Sequence, residues 1–153
     1  SNPTAIFAIS DRMSGGVYDY LRQHGGVLYA GLEDTLKKLK EQYHLYIVSN
    51  CQSGYIELTM EKTGITQYIK DFECFGRTGK QKAENIQLVC SRNNIHNAIY
   101  VGDTQGDCDA SRQANVPFVW ASYGFGTAVN YFEKINSFGQ LIPLISRKTS
   151  GGN

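Results

Sequence analysis

The chain has 153 residues, 41% of them apolar and 19% charged, with a formal net charge of +1. That length favours one domain burying roughly two-thirds of its unfolded surface, so folding requires neither a disulfide staple nor zinc. Near-neutral charge gives nucleic-acid binding no electrostatic support, and no apolar run approaches the roughly 20 residues of a membrane span or reads as a secretory leader. The four cysteines, Cys51, Cys74, Cys90 and Cys108, are widely spaced with no CxxC pair. This argues against a zinc site and for a reducing, cytoplasmic setting.

In chain order, LEDTLKKLKEQY places Leu32, Leu36, Leu39 and Tyr43 on one face with lysines and glutamates between them, the pattern of an amphipathic surface helix. LYIVSN (45–50) follows, a β-branched and aromatic run without alternation, as expected of a strand buried on both faces. A second helix starts near Ser53, which can cap it, and ends before Gly64. DFECF (71–75) reads as a short strand, GRTGKQ as a loop, and AENIQLVCSRNN as a helix with Ile86, Val89, Cys90 and Asn93 on one face. AIYVGD is the next buried strand and DCDASRQAN a helix with Ala110 and Ala114 inward. PFVWAS (117–122) is a further strand, YGFG a turn, and two short helices close the domain before a polar tail, RKTSGGN, that frays.

Strands and helices thus alternate, and the strands are continuously apolar. This predicts an α/β fold, a three-layer doubly wound parallel sheet with helices on both faces. Ligands gather beyond the carboxyl ends of such strands, where VSN and VGD both fall. The second of these opens VGDTQGDCDAS, with Asp103, Asp107 and Asp109 close together, an arrangement whose mutual repulsion calls for a cation.

Three motifs in this order carry a resemblance: IVSN at 47–50, a lysine within GKQKAEN at 79–85, and VGDTQGD at 101–107. They resemble motifs two, three and four of the haloacid dehalogenase superfamily of phosphohydrolases, over about residues 25–138, and most of all its phosphoglycolate phosphatase-like branch. The resemblance implies a magnesium-dependent phosphomonoester hydrolase working through an aspartyl-phosphate, acting on a small phosphorylated metabolite. Magnesium wants oxygen ligands in octahedral geometry, and Asp103 is expected to bind it directly. Asp107, in the first turn of the next helix, is expected to hold the metal or its waters. Ser49 would donate its hydroxyl to a phosphate oxygen, beside the backbone N–H of Asn50 or Cys51. A lysine would steady the phosphate and the nucleophile. Lys82 is assigned because it precedes the helix AENIQLV as the family's lysine does, with Lys80 as its competitor.

Taken singly, each feature has a plainer reading. Ser49 could be only a helix cap, either lysine a solvated loop residue, and Asp107 and Asp109 acids favoured by a helix dipole. The aspartates do not form a calcium loop, because Cys108 and Ala114 stand where glycine and glutamate belong. GFGTAV is a poor dinucleotide fingerprint, with Val129 in place of its third glycine.

The family's first motif, a nucleophilic aspartate with an acid–base aspartate two residues later, has no counterpart before Ser49. Two explanations compete. Residues 1–24 are the end of a helical cap, with VYDYLRQHGG its last helix and motif one lost upstream. Alternatively TAIFAISDRM is a degenerate motif one, with Ala8 at the nucleophile position and Ser10 at the acid. The stretch before LYAG reads like the approach from a cap and favours the first. Either way a core domain spans 25–145, a flexible tail 146–153, and catalysis is impaired, leaving a catalytically inactive phosphate- or protein-binding module as the alternative function. A sheet lacking its central strand would expose edges, so either IFAI fills that slot or a homodimer does so by strand exchange.

Overall fold

In the computed structural model, described over residues 5–8, 32–124 and 126–150, the apolar runs become six strands: β1 Ala5–Ala8, β2 His44–Ser49, β3 Ile69–Cys74, β4 Ala98–Gly102, β5 Phe118–Ala121 and β6 Glu133–Ile135. All pair in parallel in the order β3-β2-β1-β4-β5-β6. Between them run α1 Leu32–Lys40, α2 Tyr55–Thr63, α3 Phe75–Thr78, α4 Lys82–Arg92, α5 Gln105–Gln113 and α6 Leu141–Ser150.

Alternate residues of each strand serve opposite layers. Ile6, Leu45, Ile47, Ile99, Val101 and Val119 pack with Leu36, Leu39, Ile56, Met60 and Leu144, the inward faces of α1, α2 and α6. Phe7, Tyr46, Val48, Tyr100 and Phe118 pack with Ile86, Val89 and Cys108 of α4 and α5. On that second face Tyr46, Phe7, Tyr100 and Phe118 form a row across four strands, with successive ring centroids 5.4, 6.1 and 6.4 Å apart. The buried Tyr100 hydroxyl donates to the Val48 carbonyl at 2.8 Å, so the row buries its polar tip satisfied. Both faces of the sheet are covered, which is why the strands carry no polar alternation.

The strand order reverses direction between β1 and β4, the crevice where doubly wound sheets bind ligands. β1 fills the central slot: Ile6 pairs with both Leu45 and Ile99, and Ala8 stands level with Val101. Residues 5–8 thus occupy the slot that IFAI was expected either to fill or to leave to a second chain. The expected cap helix VYDYLRQHGG and Ser10 lie outside the described residues.

Four expectations differ in detail. Helix α2 is preceded by Gly54 at φ 95° rather than capped by Ser53, because a left-handed turn lets the chain reverse without a side-chain cap. Part of GRTGKQ is the short helix α3. A three-residue strand that was not expected, β6, extends the sheet past β5 ahead of the two closing helices, a 3-10 turn at Phe138–Gln140 and α6. Finally α6 runs from Leu141 to Ser150, into the stretch RKTS that was read as polar tail.

Candidate active site

Ser49 ends β2 and is fully buried, and its Oγ accepts the backbone N–H of Cys51 at 3.3 Å. The side-chain oxygen thus organises the loop at the head of α2, while Asn50 beside it is exposed. Across the crevice, β4 delivers Asp103, and the chain turns directly into α5. Thr104 caps that helix: its Oγ1 accepts from the Asp107 N–H at 3.1 Å, and Asp107 Oδ2 accepts from the Thr104 N–H at 3.2 Å. Asp107 Oδ2 also accepts from the Asp103 N–H at 3.2 Å. This reciprocal cap fixes the strand-to-helix turn and aims both aspartates into one corner.

Lys82 is the first residue of α4, behind a second capping box formed by Gln81 and Glu84. Its ammonium lies 2.5 Å from Asp107 Oδ1, and both side chains are buried, 4% and 2% exposed. The loop before it is braced by Asn85, fully buried, which accepts from Thr78 Oγ1 at 2.8 Å and donates to the Lys80 carbonyl at 3.1 Å. Lys80 points outward. The geometry thus joins Lys82, and not the exposed Lys80, to the acidic corner.

Asn50, Lys82, Thr104 and Asp107 line one open cavity of about 370 Å³, with Asp103 and Ser49 buried at the same ends of β4 and β2. Larger hollows of about 500 and 420 Å³ lie around the start of β4 and β5, away from these carboxylates. Asp109 is exposed and accepts from Gln105 Nε2 at 3.0 Å, as a plain helix acid would.

Close backbone approach shapes the corner. A Cβ on Gly124 would lie 2.3 Å from Asp103 Cβ and 2.7 Å from its Oδ2, and one on Gly102 would lie 2.7 Å from Asp107 Cβ. Trp120 Nε1 donates to the Asp103 carbonyl at 3.3 Å. Sequence reading missed Gly124, treating YGFG only as a turn, and missed the positioning roles of Thr104, Trp120 and Asn85. The T-x-x-D spacing of Thr104 and Asp107 is a capping-box signature and would have found the first of these. Trp120 acts through a residue seventeen positions away, and Asn85 through an irregular loop five to seven positions before it, and neither left a recognisable motif.

Both Asp107 side-chain oxygens have partners in the protein. Lys82 engages one, and the Asp103 and Thr104 amides the other. Among the described residues no group of three His, Cys, Asp or Glu side chains converges as a ready-made metal cage. Two carboxylates, Asp103 and Asp107, lie buried at this corner, and so small a donor set fits a magnesium ion held largely by waters and a substrate phosphate, not one caged by protein.

The sequence pattern of haloacid dehalogenase-like hydrolases matches residues 11–121. The chain belongs to that family. The match begins just past β1. Among curated proteins none matches the sequence. Solved structures do share the fold. A haloacid dehalogenase-like family hydrolase from Streptococcus pneumoniae is 18% identical with a TM-score of 0.71, covering 88% of this chain and 70% of its own. A predicted phosphoglycolate phosphatase from Haemophilus somnus is 20% identical with a TM-score of 0.71, covering 84% and 62%. A HAD-hydrolase from Bacillus subtilis, bound to magnesium, is 21% identical with a TM-score of 0.72, covering 84% and 60%. This chain therefore spans roughly two-thirds of the length of such proteins. No described helix is long and apolar enough to cross a membrane.

Proposed function

We propose that this haloacid dehalogenase-like domain binds the phosphate of a small phosphomonoester, with magnesium, in the corner formed by Ser49, Asn50, Lys82 and Asp103, and that it does not form an aspartyl-phosphate. The observation that carries this reading is the central position of β1. Ala8 stands level with Val101 on β4, at the strand end where the family's nucleophile belongs, and alanine offers no carboxylate. Residues 5–8 take that slot in this sheet.

Each remaining group has a task in binding. The N–H groups that follow Ser49 at the head of α2 suit an anion, and Lys82 supplies a fixed positive charge. Asp107 holds that ammonium in place and, through the Asp103 and Thr104 amides, keeps the turn rigid. Asp103 would hold magnesium, which when bound offsets phosphate charge. Positioning and charge alone cannot replace the covalent step, so hydrolysis is lost while binding survives. Four free thiols suit a reducing, cytoplasmic setting.

Calorimetric titration with orthophosphate, with and without magnesium, run beside p-nitrophenyl phosphate hydrolysis, tests this. Saturable, magnesium-enhanced binding without turnover is expected. Rapid turnover, or no phosphate binding in either condition, would overturn it.

A further inference from the structure

Cys51 and Cys74 are far apart in sequence, but the fold brings them together. Ser49 pairs with Cys74 at the ends of β2 and β3, and Cys51 follows two residues later. The Cys51 carbonyl accepts the Gly76 N–H at 3.0 Å, and Cys74 Sγ lies 3.9 Å from the Gln52 carbonyl. Gly76 sits so close that a Cβ there would lie 2.1 Å from the Ser53 nitrogen, so the chain after β3 is pressed against the loop after β2. Cys51 packs on the core cluster that contains Cys74. Burial pushes the Cys74 thiol up from its ordinary value, against the Arg77 backbone N–H, and the adjoining Cys51 thiol adds to the rise.

We propose that Cys51 and Cys74 are a modification site: a peroxide-driven, reversible disulfide that clamps the anion loop to the end of β3. Cys51 is half-buried and Cys74 buried, so the peroxide meets Cys51 first. The Cys51 sulfur attacks one peroxide oxygen, the O–O bond breaks, and a sulfenic acid and water result. The Cys74 sulfur then attacks the Cys51 sulfur, expelling the sulfenic oxygen as a second water. In sum, two thiols are oxidised, one peroxide is reduced, and a dithiol reductant reverses the bond by exchange. Cys90 and Cys108 lie on the other face of the sheet, against α4 and α5, and take no part.

The consequence for binding rests on the phosphate reading above. The Cys51 N–H donates to Ser49 Oγ, and it is one of the amides that would face a bound phosphate. Drawing Cys51 towards β3 removes that donor, so the oxidised chain binds orthophosphate about tenfold more weakly or worse, the loss of one hydrogen bond to a charged group.

The test treats the full chain with hydrogen peroxide, maps the cross-link by peptide mass spectrometry, and titrates orthophosphate into the oxidised and re-reduced protein. The expected result is an intramolecular Cys51–Cys74 peptide, weaker binding, and full recovery with dithiothreitol. Cys90→Ser/Cys108→Ser should behave like the unsubstituted chain, and Cys51→Ser should lose the cross-link and the response to peroxide. Absence of that cross-link overturns the modification site. A cross-link that leaves orthophosphate affinity unchanged overturns its effect on binding. If the reduced chain binds no orthophosphate, it is the phosphate reading that fails, while the cross-link is decided separately by mass.

Discussion

Lys82 and Asp107 form a buried ion pair, ammonium to carboxylate at 2.5 Å, that joins the first residue of α4 to the first turn of α5. Both side chains are buried, so each charge is compensated chiefly by the other. Lys82→Ala leaves Asp107 as an uncompensated buried charge and should cost about 3–5 kcal/mol in urea unfolding. Lys80→Ala, at an exposed position, should stay within about 0.5 kcal/mol of the unsubstituted chain. The same comparison in orthophosphate affinity separates the two lysines that the sequence left in competition.

Gly124 should tolerate no side chain. Gly124→Ala puts a methyl group 2.3 Å from Asp103 Cβ, so the loop or the carboxylate must move. Weaker magnesium and orthophosphate binding is expected, together with a lower unfolding midpoint. Gly106 gives the contrast: its nearest neighbour to an added Cβ is Thr104 Oγ1 at 3.7 Å, and it lies within α5. Gly106→Ala should leave the midpoint unchanged or raise stability by up to about 1 kcal/mol through helix propensity. Both follow from thermal unfolding monitored by circular dichroism.

Asn85 braces the loop that presents Lys82. Asn85→Leu removes its bonds to Thr78 and the Lys80 carbonyl and should cost about 1–3 kcal/mol. If its role is to place Lys82, orthophosphate affinity should fall as well, measured where the variant is still fully folded, and retained affinity would show a purely structural role.

Asp71 sets part of the acid limb of stability. Burial raises its pKa, but hydrogen bonds from Arg92, Asn93 and the Phe72 N–H outweigh that and hold the carboxyl below its ordinary value. Arg92 reaches it at 2.8 and 3.0 Å, and Asn93 at 2.7 Å. A folded-state pKa below the unfolded one means the contribution is complete above the ordinary aspartate range and disappears as pH falls through the folded-state value. Asp71→Asn should therefore flatten the decline of urea midpoints on the acid side, and an unaltered slope would refute the assignment.

Much of the fold was legible because it rests on local signals. LYIVSN and AIYVGD are apolar on both faces, and LEDTLKKLKE is apolar on one, so the sheet and its layers follow from periodicity. β6 was not legible: Glu133–Ile135 is three residues with two charges, and only the open edge of β5 makes it a strand. Within the site, Ser49, Lys82 and Asp103 could be named from motif spacing. The division of Asp107 between Lys82 and two amides could not, because it depends on the crossing of α4 and α5. The Cys51–Cys74 contact was invisible for a similar reason, since it arises from register between neighbouring strands and not from spacing along the chain.

The most direct measurement is magnesium-dependent hydrolysis of p-nitrophenyl phosphate by the unsubstituted chain and by an Ala8→Asp/Ser10→Asp variant, which places carboxylates at the two positions that the proposed reading gives to motif one. Hydrolysis by the variant and none by the unsubstituted chain is the result predicted by a phosphate site that lacks only its nucleophile and acid. Turnover by the unsubstituted chain, or none by either, would contradict it.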